Sequence, residues 1–173
     1  QKLLQLLLLQ LLWTKFIMLS KSDLIKYFEN GIKNASEIKI GTEHEKFIYH
    51  KSDLSLVPYS GDVSINSIFE DFIQDGWRPV IENENIIALN KDRASITLEP
   101  GGQFELSGAP LKTIHDTCKE INNHLAFTKK LEEKYKIGFL GLGFFPIGEL
   151  KDVPMVPKKR YSEIMTPYMK SIS

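Results

Sequence analysis

The sequence predicts an α+β fold built on an antiparallel sheet. Three observations support this: helical and strand-like patterns follow each other in the order helix, strands, helix, meander, helix, strand; the strand-like runs are short and joined by hairpin-length turns; and 173 residues suffice for one domain with a core. Sequential short strands joined by tight turns pair antiparallel. We therefore expect one antiparallel sheet flanked by helices.

Composition and charge exclude some classes of function. Lys plus Arg number 22 and Asp plus Glu also number 22, so the formal net charge is zero. No global basic field is available to hold nucleic acid, and we expect no nucleic-acid partner. The single cysteine, Cys118, permits no disulfide within the chain, which fits a reducing compartment such as the cytoplasm.

The N-terminal segment, residues 1–17, is leucine-rich and leaves three interpretations open. It resembles the h-region of a signal peptide but lacks a small-x-small cleavage site. As a membrane span it is short and interrupted by polar residues, so we expect no stable span, although an interfacial helix is possible. The third interpretation is that Met18 is the natural start and residues 1–17 are not native.

The first elements are predicted from periodicity and caps. "SKSDLIKYFENGIK" reads as a helix capped by Ser22 and ending at Gly31 or Asn34. "EIKIGTEHEKFIYH" alternates as a strand does, and "SINSIFEDFIQDG" is an amphipathic helix that ends at Gly76. The apolar face of that second helix is expected to consist of Ile65, Ile68, Phe69, Phe72 and Ile73.

The next runs, "RPVIE", "NIIALNK", "RASITLE" and "GQFELSG", predict an antiparallel meander. The longest predicted helix follows, with Pro110 in its first turn and Cys118 as a buried structural thiol. Its predicted apolar stripe is Leu111, Ile114, Cys118, Ile121, Leu125 and Leu131. "IGFLGLGFFP" then predicts a buried strand, and a Pro-rich loop leads to a short last helix.

Two acidic sets lie on predicted strands. Glu43 and Glu45 are two residues apart and so share one face, as do Gln103 and Glu105 after a Pro-Gly-Gly turn that Glu99 precedes. On their own, paired acids fit a solvated edge equally well. Together, two oxygen-rich sets on one sheet predict a site for Mg²⁺, which prefers oxygen ligands and shares them with phosphates.

Other motifs point less clearly to a site. The four histidines have no cysteine partners at zinc spacing, and we expect them at the surface or hydrogen-bonded in the core. "GFLGLGFF" opens no helix, which argues against a dinucleotide site. "PKKRY" is either a solvated loop or a site where Arg160 binds a carboxylate in bidentate fashion.

Five segments of the sequence, in their order along the chain, resemble glutamate–cysteine ligase of the plant and proteobacterial type. They are "GTEHEKF", "ITLEPGGQFELSGAPL", "HDTCKEINNH", "IGFLGLGFFP" and "PMVPKKRY". The resemblance runs from Ile40 to Met169. It implies a curved antiparallel sheet with outer helices, similar to glutamine synthetase but incomplete here. It also implies that residues 18–173 are the N-terminal part of one catalytic domain.

The implied reaction joins the γ-carboxylate of glutamate to the amine of cysteine through an acyl phosphate, with ATP as co-substrate and Mg²⁺ as cofactor. The resemblance implies that Glu43, Glu45, Glu99 and Glu105 bind the metal, with Gln103 beside them, and that Arg160 binds glutamate. A plastid location would follow if the gene is a plant-type nuclear one.

The chain also departs from the resemblance. Family members are longer, "RYSEIM" carries an extra residue, and "YMKSIS" differs from the family's Tyr-Met-Pro. We therefore expect these 173 residues alone to lack ligase activity. Two alternatives stay open, a related carboxylate–amine ligase with another amine substrate and a non-catalytic remnant; the oligomeric state is not predicted.

Overall fold

The computed structural model describes residues 19–172 and confirms the α+β class, with helices and one antiparallel sheet. The contacts divide the chain into two compact units, 1–38 and 39–173. The expectations for residues 1–17 lie outside the described residues. No helix among residues 19–172 is long and apolar enough to cross a membrane.

The first unit contains helix α1 (Lys21–Asn30) and a 3₁₀ turn (Ala35–Glu37). The cap of α1 is Ser20, two residues earlier than predicted, because Ser20 and Asp23 form a reciprocal capping box. The helix ends at Gly31, as expected. Its larger apolar side chains are exposed; they are Leu24, Ile25, Tyr27 and Phe28.

The second unit is built on a six-stranded sheet in the order β2-β3-β4-β5-β1-β6, in which all neighbours pair antiparallel. The strands are β1 (Glu43–His50), β2 (Arg78–Glu82), β3 (Asn85–Lys91), β4 (Ala94–Leu98), β5 (Phe104–Ser107) and β6 (Ile137–Leu140). The predicted meander is therefore correct for β2 to β5. Strand β1 lies between β5 and β6, a long-range pairing that local patterns do not encode.

Helix α2 (Ile65–Gln74) covers one face of this sheet. Ser64 caps it by accepting a hydrogen bond from the Ser67 amide. Four residues of the predicted apolar face are fully buried, and each buried side chain of this size contributes about 1.5–3 kcal/mol. They are Ile65, Ile68, Phe69 and Phe72.

Helix α3 (Ile114–Tyr135) differs from its prediction in start and orientation. Thr113 caps it, so Pro110 lies outside. Of the predicted stripe only Leu131 is buried, because the helix turns a mixed face to the sheet; the buried residues are Thr117, His124, Thr128 and Leu131. Cys118 is exposed, so the prediction of a buried thiol is wrong.

The C-terminal part begins with β6, which ends at Leu140, so the following Gly-rich run is an exposed loop rather than a buried strand. A 3₁₀ turn (Leu150–Asp152), a π-helix (Arg160–Met165) and helix α4 (Thr166–Ile172) follow. The π-helix spans the segment "RYSEIM".

Candidate functional site

The predicted acids lie on the face of the sheet opposite the packed helices. Glu43 and Glu45 are exposed, whereas the side chains that alternate with them point toward the core. In the register of β1 with β5, Glu45 lies directly opposite Glu105 and Glu43 lies opposite Ser107. Directly opposed residues have Cβ atoms about 4.5–5.5 Å apart. We call this surface the acidic face; it carries Glu43, Glu45, Glu99 and Glu105.

The carboxylate of Glu105 is held in place by two hydroxyl donors. The Ser107 hydroxyl donates to Oε1 at 2.6 Å, and the Thr97 hydroxyl donates to Oε2 at 3.2 Å. Thr97 is the cross-strand neighbour of Glu105 in β4. Because both oxygens already accept hydrogen bonds, the Glu105 side chain has a fixed orientation on the acidic face.

The Pro-Gly-Gly turn positions Glu99 at the edge of the same face. The Glu99 amide donates to the Gln103 carbonyl at 2.9 Å, and the Gly102 amide donates to the Glu99 carbonyl at 3.0 Å. Gly101 and Gly102 have φ of 84° and 79°, a backbone conformation that glycine adopts without a steric penalty. The Gln103 side chain is buried, and its amide donates to the Leu142 carbonyl at 3.3 Å, which ties the turn to the loop after β6.

Arg160 lies beside Glu99 on the acidic face. One guanidinium nitrogen is 3.7 Å from Glu99 Oε1, and it donates to the Tyr161 hydroxyl at 2.8 Å. The Arg160 side chain is 62% exposed, so the ion pair with Glu99 is weak and the guanidinium remains accessible to an anionic ligand. The structure thus brings Arg160 and Glu99 together, as a shared site requires.

Sequence reasoning missed the residues that hold Arg160 in place. Lys158 Nζ and the Tyr161 hydroxyl both donate to the Leu98 carbonyl, at 2.6 and 3.0 Å. Both side chains are buried, and Leu98 directly precedes Glu99. The segment that carries Arg160 is therefore fastened to the end of β4. The basic cluster "PKKRY" is visible in the sequence. Only the contact with β4 shows that Lys158 holds this segment in place instead of lying in solvent.

Burial lowers the pKa of the Lys158 ammonium, and the neighbouring Arg160 guanidinium lowers it further. Carboxylates act in the opposite direction and favour the charged form; they are Glu99, Glu105 and Glu82. A buried cation thus lies near two acids of the acidic face. This offsets part of the repulsion that like charges on one face experience.

The acidic face supplies only oxygen donors, a donor set suited to Mg²⁺ rather than to zinc. Within residues 19–172, however, no three His, Cys, Asp or Glu side chains converge closely enough to hold a metal ion. The acids share a face, but in this arrangement Glu99 pairs with Arg160 and Glu105 with hydroxyls. The metal-ligand assignments accordingly stay predictions.

Comparisons with known proteins identify relatives of this chain. The model of glutamate–cysteine ligase family 2 (GCS2) matches residues 39–173. The chloroplastic glutamate–cysteine ligase of Medicago truncatula is 50% identical over 156 residues, covering 89% of this chain and 30% of the relative. That of Nicotiana tabacum is 48% identical over 155 residues, covering 89% and 29%. Chloroplastic glutamate–cysteine ligase A of Oryza sativa subsp. japonica is 46% identical over 155 residues, covering 89% and 31%.

The matched region includes the whole second unit and every predicted site residue. The chain spans about 30% of the length of the curated relatives that it matches.

Proposed function

The chain belongs to glutamate–cysteine ligase family 2, and from this membership we propose that it provides the acidic face of an ATP-dependent ligase. The ligase joins the γ-carboxylate of glutamate to the amino group of cysteine, the first step of glutathione synthesis. The observation that supports the proposal best is the register that sets Glu45 opposite Glu105, with Arg160 at the edge of the same face. This combination provides both metal-type oxygen ligands and a cation for a substrate carboxylate.

The proposed chemistry has two steps. An oxygen of the glutamate γ-carboxylate attacks the terminal phosphorus of ATP, which forms an acyl phosphate and releases ADP. The amine of cysteine then attacks the acyl carbon, the C–N bond forms, a proton leaves the amine and phosphate departs. Both steps gather negative charge, so fixed cations lower the barrier.

In this scheme the chain's residues bind and orient. Arg160 binds a substrate carboxylate through its planar guanidinium, while Lys158 and Tyr161 keep the backbone that carries it in register with β4. Glu43, Glu45, Glu99 and Glu105 would hold Mg²⁺, with Gln103 fixing the turn beside them. When bound, the ion would neutralise charge on the transferred phosphoryl group.

Metal binding by the acidic face can be tested on the purified chain. Mn²⁺, a paramagnetic substitute for Mg²⁺, is titrated with ATP present and the free ion is measured by electron paramagnetic resonance. We expect Glu45→Gln to weaken binding about tenfold, because one charged ligand of the hard cation is lost. Glu133→Gln, which changes an exposed acid of α3, is the matched control and should leave binding unchanged.

The reaction itself is tested in a chimera. Residues 39–173 replace the matching segment of the Medicago truncatula enzyme, which shares 50% identity with this chain. We expect steady-state formation of ADP and dipeptide that requires both glutamate and cysteine, and its loss when Glu45→Gln is added. A folded chimera that binds ATP but makes no dipeptide would overturn the proposal.

Two alternatives have distinct signatures. In a related ligase with another amine substrate, the chimera would use glutamate and ATP but prefer a different amino acid over cysteine. A non-catalytic remnant would bind neither Mn²⁺ nor ATP on the acidic face. The inactivity of the 173-residue chain on its own stays a prediction, checked by the same ADP assay.

The relatives from Medicago truncatula, Nicotiana tabacum and Oryza sativa are chloroplastic enzymes. We propose a plastid location for this protein as well. A fluorescent fusion of the gene product, observed in cells that contain plastids, distinguishes this location from the cytoplasmic one.

A further inference from the structure

A second candidate site lies on the other side of the sheet from the acidic face. A cavity of about 440 Å³ opens between α3, the end of α2 and the turn between β3 and β4. Its volume falls in the range of small-molecule sites, about 300–1,000 Å³. None of the four acids of the acidic face lines it, so it is separate from the proposed ligase site.

The wall formed by α3 contains buried polar groups that have no partner. His124 is 7% exposed, and neither of its ring nitrogens has a hydrogen-bond partner among residues 19–172. Glu120 uses Oε1 to accept from the Ala109 amide at 2.9 Å, but its buried Oε2 likewise has no partner there. An unsatisfied buried polar group costs about 1–3 kcal/mol, so this wall of the cavity is unusually polar for its burial.

The charged residues that line the cavity leave a surplus of carboxylates. Lys91 Nζ forms a salt bridge with Asp75 Oδ2 at 2.9 Å, so these two charges compensate each other. Lys119 then faces three acids, Asp92, Asp116 and Glu120. This imbalance favours a ligand that carries positive charge.

Aromatic rings form the apolar wall of the cavity. Phe72 lies 4.5 Å from Phe127 and 5.7 Å from Trp77, measured between ring centroids, so three rings form one contiguous surface. Aromatic faces attract cations, and aromatic rings with nearby carboxylates are the usual surroundings of bound organic ammonium groups.

We propose that this cavity binds a small organic cation, with an apolar or aromatic body against Phe72, Trp77 and Phe127 and an ammonium group directed toward Glu120. The positive charge of the ammonium compensates the surplus of carboxylates that line the cavity. The proposal does not depend on ligase activity, because it uses a different face of the sheet.

The fluorescence of Trp77, which lines the cavity, reports ligand binding directly. The chain has two tryptophans, so Trp13→Phe leaves Trp77 as the only one. The probes are phenethylamine, 2-phenylethanol and 3-phenylpropionate, which have similar aromatic bodies and differ in charge. We expect saturable quenching of Trp77 fluorescence by the amine, with an affinity about tenfold above that of the alcohol and weaker still for the carboxylate.

The variants assign the preference to the cavity. Glu120→Gln should bring the amine to within about threefold of the alcohol, because the charge is removed while the acceptor for Ala109 is kept. Glu133→Gln, an exposed acid farther along the same helix, should leave the tenfold preference unchanged. If Glu120→Gln does not fold, Asp92→Asn decides, since asparagine tolerates the positive φ of 53° at that position; we expect about a twofold to threefold loss of the preference.

Three outcomes would overturn the proposal. The first is no saturable quenching by the amine up to about 10 mM, an affinity too weak for a specific site. The second is equal or tighter binding of the alcohol or the carboxylate. The third is a preference for the amine that survives in both folded acid variants.

Discussion

His124 should make the stability of the fold depend on pH between about 7 and 3. The imidazole is buried against Phe72 and Phe104, with ring centroids 6.1 and 6.3 Å away. Burial lowers its pKa from 6.5 to about 3, and the charges of Lys46 and His44 act in the same direction. The folded chain therefore keeps this ring neutral under conditions in which the unfolded chain protonates it.

The sign and the size follow from the two pKa values. Between pH 6.5 and 3 the unfolded state binds more protons, so the free energy of unfolding falls as the pH falls and is constant above the unfolded pKa. Protonation of this ring in the unfolded state lowers the free energy of unfolding by about 1.4 kcal/mol per pH unit below 6.5. Between pH 7.5 and pH 5.0 the free energy of unfolding therefore falls by about 2 kcal/mol because of His124. His124→Phe removes the titration and keeps an aromatic ring, so this variant should lack the loss.

Urea unfolding followed by circular dichroism measures the effect at both pH values. The other titratable groups are common to both proteins, so the difference between the two curves reports the contribution of His124. His115→Gln, which changes an exposed histidine on the same helix, is the matched control. If wild type and His124→Phe lose the same stability, to within about 0.5 kcal/mol, the ring is not neutral and buried as described.

Three further outcomes follow from the structure. Tyr161→Phe removes a buried hydroxyl that donates at 3.0 Å and should cost about 1 kcal/mol in urea unfolding, whereas no cost would mean that Lys158 holds β4 alone. Gly138→Ala places a methyl group against a tyrosine ring and should cost about 1–3 kcal/mol, while Gly143→Ala, with open space around it, should be nearly neutral; equal effects would contradict this packing. Cys118 is exposed, so a thiol reagent such as DTNB should modify it in the native chain as fast as in urea, and slow labelling would point to a covered thiol.

Local pattern was sufficient wherever a segment had one clear apolar side. The meander from β2 to β5 follows from alternation and turn residues, and α2 follows from a single apolar face behind a serine cap. The shared face of Glu43 and Glu45 also follows from strand geometry alone. These features depend on residues that are close together in the sequence, so they can be predicted from the sequence alone.

The rest depends on contacts between distant residues. In α3 the apolar side chains Ile114 and Leu125 are exposed, while His124 and Thr128 face the core, because packing against β5 and α2 decides which side is covered. The attachment of Lys158 to β4 joins residues 60 positions apart. Periodicity reports the amphipathic character of a helix but not which side a particular sheet will bury.

The π-helix at Arg160–Met165 is wider than the α-helix that continues from it. The amide of Thr166 donates to the Tyr161 carbonyl five residues earlier, one residue further than in a regular α-helix. Arg160, its first residue, lies 3.7 Å from Glu99, and α4 follows directly after Met165. The hydrogen-bond register of the chain thus changes by one residue between Arg160, beside Glu99, and the helix that follows.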